Sequence, residues 1–203
     1  PMAVSEHPRA EQSRSAHAFR PREIVLLVCL IVALVALIAF RPSAEPPATA
    51  AEIGFARDMI VHHAQAVDMA ILLYDRTDNP DLKTIALDMT LTQQAQIGQM
   101  QGWLAVWGEP IASADLPMAW MGMTVRGLMP GMATDAQLAR LRAADGVDAD
   151  ALFIPLMVAH HQGGVHMAEG VLALSDRPLV RRLAQSIVDA QQREIALLES
   201  LLP

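Results

Sequence analysis

A chain of 203 residues has room for one domain and an appendage. Fifteen Lys+Arg against 22 Asp+Glu leave a formal net charge of −7, which excludes the basic face that a nucleic-acid binder needs. One cysteine, Cys29, excludes an intrachain disulfide and a thiolate zinc site, while 12 methionines against 4 phenylalanines supply an unusual number of soft thioethers.

Residues 1–23 form a polar tail containing His7, His17, Arg9, Arg14, Arg20 and Arg22. The apolar run "IVLLVCLIVALVALIAF", Ile24–Phe40, follows without a charge or a proline. As a helix it reaches roughly 25 Å, close to the hydrocarbon thickness of a bilayer. With only Arg41 close behind, the positive-inside rule puts residues 1–23 in the cytoplasm and the chain after Arg41 outside. A cleaved signal peptide ending at "ATA", Ala48–Ala50, is the rival, but the apolar core exceeds the usual length of about 7–15 residues. An uncleaved single-pass anchor in the cell membrane is the expectation. "RPSAEPPATAAE", residues 41–52, then reads as an extended linker.

Residues 53–203 contain an internal repeat. "MIVHHAQAVDMA" at 59–70 has a second copy, "MVAHHQGGVHMA", at 157–168. His62 to His160 is a shift of 160 − 62 = 98, and the same shift maps Met59 on Met157, Met69 on Met167, Asp78 on Asp176, Pro80 on Pro178, and Gln93 on Gln191. Duplication on this scale sets the architecture. Each half predicts a helical hairpin: Ile53–Tyr74 with Asp81–Trp107, and Asp148–Leu174 with Leu179–Leu202. The turns "RTDNPD" and "SDRP" separate them, with Asp78 and Asp176 as prospective helix caps. Strand-like alternation is scarce, so the fold class is all-α, with duplicated hairpins forming an antiparallel four-helix bundle. Between the halves lies a loop, residues 117–132, with five methionines, three glycines and two prolines; a short helix Thr134–Ala144, capped by Thr134, follows it.

On a helical wheel His62, His63, Met59 and Met69 share the apolar face with Phe55, Ala66, Ala70 and Leu73, while Asp68 lies opposite. His160, His161, Met157 and Met167 share the matching face of the second half; His166 lies on the solvent side. Packed about a pseudo-two-fold axis, the four histidines can converge, and Met59 and Met157, one turn before them, can complete a site. Imidazole with thioether suits copper. The Glu-x-x-His pairs of a di-iron bundle and the His-Glu-x-x-His zinc spacing are missing after the anchor. The structural alternative satisfies the imidazoles with Gln65, Gln93 or Gln94 and makes the methionine loop a hydrophobic lid, with Trp103 and Trp107 in the core or an interface.

"MIVHHAQAVDMA", "LMVAHHQGGVHMA" and "MPGMATDAQLARLRAADG", in this order, resemble the bacterial family called domain of unknown function 305, across Ile53–Leu202. The resemblance implies a ferritin-like or four-helix bundle fold, typically exported, in a family that includes periplasmic copper-binding proteins of the CopM type with methionine and histidine ligands. Carried over by position, it implies His62, His63, His160, His161, Met59, Met69, Met157 and Met167, with Met129 and Met132 of the loop. Two departures stand out. The chain ends "ESLLP" without a histidine- or methionine-rich tail, and the first half has Ala64 and Ala66 where the second has Gln162 and Gly164.

Two functions follow from different classes. One is a membrane-anchored extracytoplasmic protein that sequesters or transfers copper; no nucleophile with its base and no paired carboxylates suggest an enzyme. The other is a non-catalytic accessory subunit of a membrane protein complex that binds no metal. Four imidazoles within mutual reach favour the first; histidines each bonded to a glutamine or carbonyl favour the second.

Overall fold

The computed structural model describes residues 20–39, 45–123 and 125–201. The expectations for residues 1–19, for Phe40 and residues 41–44, and for Leu202 and Pro203 lie outside the described residues. Among the described residues the chain is all-α, without a strand, and it divides into two compact units, Pro1–Pro46 and Pro47–Pro203.

The first unit contributes α1, Pro21–Ala39. Its large apolar side chains from Ile24 to Ile38 are all exposed, and by length and composition it is able to cross a membrane.

The second unit opens with α2, Ala50–Arg76. Thr49 and Glu52 form a capping box: the Glu52 amide donates to Thr49 Oγ1 at 3.2 Å, and the Thr49 amide donates to Glu52 Oε2 at 2.8 Å. Residues 50–52 are therefore helical, and the expected linker is shorter than its alanine-rich composition suggested. The second helix, α3, spans Pro80–Trp107 and ends at Gly108, whose φ of 74° closes the last turn. Its cap is Asn79, accepting from the amides of Asp81 and Leu82, rather than Asp78. Asp176 does not cap either, since Arg177 occupies the corresponding position before α6. In both turns a proline in the helix's first turn moves the cap one residue past the aspartate.

The connecting segment carries a single 3-10 turn at Ala119–Met121, then α4, Asp135–Ala143. Thr134 caps α4 in a box with Gln137, as the sequence predicts. The remaining helices are α5, Gly146–Leu174, and α6, Pro178–Ser200. Helix α2 packs along α3, α5 packs along α6, and the two hairpins meet through α2 and α5.

Two apolar clusters flank that seam. One gathers Phe55, Met59, Met100, Leu104, Met118, Met129, Met167 and Val171. The other gathers Met69, Leu73, Leu82, Met89, Leu141, Phe153, Met157 and Leu198. Met59 thus shares a cluster with Met167, and Met69 with Met157, so α2 and α5 run antiparallel with the histidines between. Each fully buried Phe, Met or Leu stabilises the fold by roughly 1.5–3 kcal/mol.

Candidate metal centre

The register of α2 places His62 and His63 between residues of the two clusters, and α5 does the same for His160 and His161. All four are completely buried. The rings of His62 and His160 stack across the seam, with centroids 3.8 Å apart and planes tilted by 34°. Within α5 the rings of His160 and His161 are 6.4 Å apart.

Three of the four rings are held from outside the layer. His62 Nε2 donates to the Pro130 carbonyl at 3.1 Å. His63 Nε2 lies 2.8 Å from Gln96 Oε1, and His161 Nε2 lies 2.5 Å from Glu194 Oε2. His160 has no partner on either nitrogen. Nδ1 of His62, His63 and His161 is also buried without a partner, and so are both amide atoms of Gln93 and Gln191. A buried polar atom left unpaired costs about 1–3 kcal/mol, and folded chains tolerate few. Five of these atoms are ring nitrogens of the four histidines.

Burial sets the charge state of the layer. Desolvation, helped by the charge of neighbouring His161, lowers the pKa of His62 to about 4. His63 falls to about 3 for the same first reason, with His62 and His161 adding to it. His160 is pushed well below the ordinary histidine value by burial and then by its three neighbours. Neutral imidazoles carry lone pairs, the form in which histidine binds metal. The donor chemistry fits a soft or borderline ion: the neutral imidazoles of His62, His63 and His160 and the His161 ring beside Glu194, with Met59 and Met167 on one side and Met69 and Met157 on the other. Among the described residues, no three His, Cys, Asp or Glu side chains form a ready-made cage.

The structure thus unites His62 with His160 and separates Met59 from Met157. Because α2 and α5 are antiparallel, Met59 and Met157 lie in opposite clusters, one on each side of the histidine layer. Met129 is buried in the first cluster, and Met132 packs against it. His166 and Gln94 are exposed.

The loop reaches the histidines through glycine. Pro130 and Gly131 run directly over α5: a Cβ on Gly163 would lie 2.0 Å from the Pro130 oxygen, and one on Gly131 (φ 78°) would lie 2.1 Å from the Ala159 oxygen. From the other side Gln65 grips the loop with both amide atoms, donating to the Ala133 carbonyl at 2.9 Å and accepting from its amide at 2.6 Å. Gln65 is therefore a loop clamp and not a histidine partner. The rest of the loop behaves as the lid: Met118 is buried, its backbone (φ 64°) held by an amide donating to Asp58 Oδ2 at 2.8 Å. The Trp120 indole donates to the same oxygen at 2.8 Å, and its ring covers Gly54. Burial raises the pKa of Asp58, against those two hydrogen bonds and Arg57. A surface cleft of about 570 Å³ lies beside this lid, at Arg57, Asp58, Glu109 and Trp120, and touches none of the histidines.

Three partners escape the sequence reading: Pro130, Gln96 and Glu194. A signal for two of them exists, since 194 − 96 = 98 places Gln96 and Glu194 at the same position of the repeat.

The family model described as "Domain of unknown function (DUF305)" matches residues 52–202. A solved DUF305 protein from Streptomyces coelicolor is similar at 47% identity and a TM-score of 0.72, covering 75% of this chain and 91% of that one. A DUF305 fragment from Deinococcus radiodurans is similar at 37% identity and a TM-score of 0.65, covering 77% and 97%. CopM in its Cu(II)-bound form is similar at 28% identity and a TM-score of 0.61, covering 73% and 93%, and CopM is also solved in a Cu(I)-bound form. No curated protein matches.

Proposed function

The chain belongs to the DUF305 family, and on that premise we propose that it is a membrane-anchored, extracytoplasmic copper-binding protein that sequesters or hands on the ion and catalyses no reaction. The observation that carries this reading is the buried histidine layer, where His62 and His160 stack and unpartnered imidazole nitrogens collect. His62, His63, His160 and His161 are the ligands, with thioethers from Met59, Met69, Met157 and Met167 beside them. Met129 and Met132 border the layer as a soft transfer site. The two hairpins form the four-helix, ferritin-like frame that holds these groups still. CopM, a relative in fold, is solved with copper in both oxidation states, which supports the metal class. Helix α1 supplies the tether, and the arginines on its N-terminal side set the orientation. Beyond the tether the acidic chain favours the approach of cations.

A second reading has its own observation. Three of the four imidazoles have an outer partner in Pro130, Gln96 and Glu194, as an accessory subunit with purely structural histidines requires. Titration of the full chain in detergent with Cu(I) and Cu(II) separates the two. Submicromolar binding that disappears in a folded His62→Ala, His63→Ala, His160→Ala, His161→Ala variant supports copper handling. A folded wild type that binds neither ion supports the accessory subunit.

A further inference from the structure

His63 and His161 are equivalent in the repeat, and so are the residues that hold them, Gln96 and Glu194. Each ring meets its partner through Nε2, at 2.8 Å and 2.5 Å, and each leaves a buried Nδ1 without a partner. A neutral imidazole has one N–H and one lone pair, and the nitrogen that faces an acceptor keeps the proton. A carboxylate has only lone pairs to offer His161, and Gln96 turns its carbonyl oxygen to His63. In its neutral form each ring is drawn into the Nε2–H tautomer, which leaves a bare lone pair on Nδ1. The Pro130 carbonyl imposes the same tautomer on His62, because a backbone carbonyl only accepts. His160, stacked on His62, leaves both ring nitrogens buried without a partner.

We infer that Gln96 and Glu194 are positioning residues: their side-chain oxygens hold His63 and His161 in the Nε2–H tautomer, so that Nδ1 lone pairs, not N–H groups, face the buried layer. For the kind of ligand, a soft or borderline cation, this rests on the metal reading above; the tautomer lock itself does not. Outer partners of this kind fix ring orientation and raise ligand basicity. The two halves then differ in strength. Glu194 supplies a carboxylate whose side chain is 24% exposed, whereas Gln96 supplies a neutral amide, so His161 is the stronger donor of the pair.

The test uses the full chain in detergent, with ¹⁵N-labelled histidine and no metal, and long-range ¹H–¹⁵N spectra that identify each tautomer. Silver(I), a soft ion that stays in one oxidation state, then probes affinity. Wild type should show His63 and His161 as Nε2–H. Glu194→Gln, which keeps an acceptor oxygen, should keep that tautomer and bind silver within roughly threefold of wild type. Glu194→Met, close in size but without an acceptor, should give mixed tautomers at His161 and lose about tenfold or more in affinity. Nδ1–H tautomers in wild type would overturn the inference without any variant. So would a folded Glu194→Met protein that stays wholly Nε2–H. If wild type shows the assigned tautomers and binds no silver, the metal reading falls and the lock stands.

Discussion

The two hairpins share one register of histidines, methionines and turn prolines, yet three mirrored positions have parted. Gln65 reaches out to clamp the Ala133 backbone, while its counterpart Gly163 gives way so that Pro130 can lie on α5. Gln96 holds His63 with an amide, while Glu194 holds His161 with a carboxylate. Glu52 is buried in a network in which Ser175 Oγ donates at 2.6 Å and Arg177 Nε at 3.1 Å, while its counterpart Asp150 has a buried Oδ1 with no partner. Both halves contribute a histidine pair to the layer, though His62 is held by Pro130 and its equivalent His160 has no partner. At Gln65 and Gly163 the symmetry breaks because the single connecting segment docks there, and one loop cannot lie identically on two hairpins.

The shared layer should give the largest response. In the folded, metal-free protein the buried rings stay neutral until pH falls to about 4 for His62 and about 3 for His63. In the unfolded chain each ring takes up a proton near its ordinary value of 6.5. Stability is therefore complete above pH 6.5 and falls through the window down to about 4, by up to about 1.4 kcal/mol per pH unit for each histidine. Urea unfolding at pH 7.5, 5.5 and 4.5 measures this; a flat profile would mean that the rings are not buried as described.

Breaking the asymmetric network comes next. Hydrogen bonds from Ser175, the Thr49 amide and Arg177, together with the guanidinium charge, outweigh the effect of burial and hold the Glu52 carboxyl below its ordinary range. Arg177→Met leaves that carboxylate buried without its cation and should cost about 3–5 kcal/mol in the same urea assay. The loop contact is third. Gly163→Ala drives a Cβ against the Pro130 oxygen and should cost about 3 kcal/mol, whereas Gln162→Ala, one residue earlier and exposed, should stay within about 0.5 kcal/mol. The mirrored cap is smallest: Asn79→Ala, at the position that matches Arg177, removes one N-cap for about 1 kcal/mol.

Much of this was legible in the chain. The 98-residue shift revealed both hairpins and the buried face of each histidine pair, because duplication and helical periodicity are patterns along the sequence. Asn79 was passed over for Asp78 because either residue type caps a helix and the proline decides between them. Gln96 and Glu194 were hidden because both sit on long helices among other polar residues, where only the neighbouring helix determines which side chain reaches a ring. Which side of the layer Met59 and Met157 each take was not legible, since a repeat gives equivalence and not direction. Once α2 and α5 run antiparallel, equivalent methionines lie on opposite sides of the layer.

X-ray absorption at the copper edge, on the full chain in detergent loaded with one equivalent of Cu(I), addresses the central claim most directly. The account predicts a first shell dominated by imidazole nitrogen, with the outer-ring scattering of histidine, and loss of that signal in His62→Ala, His160→Ala protein that still folds. A shell made only of sulfur, or an imidazole signal unchanged in that variant, would place the ion elsewhere and contradict the account.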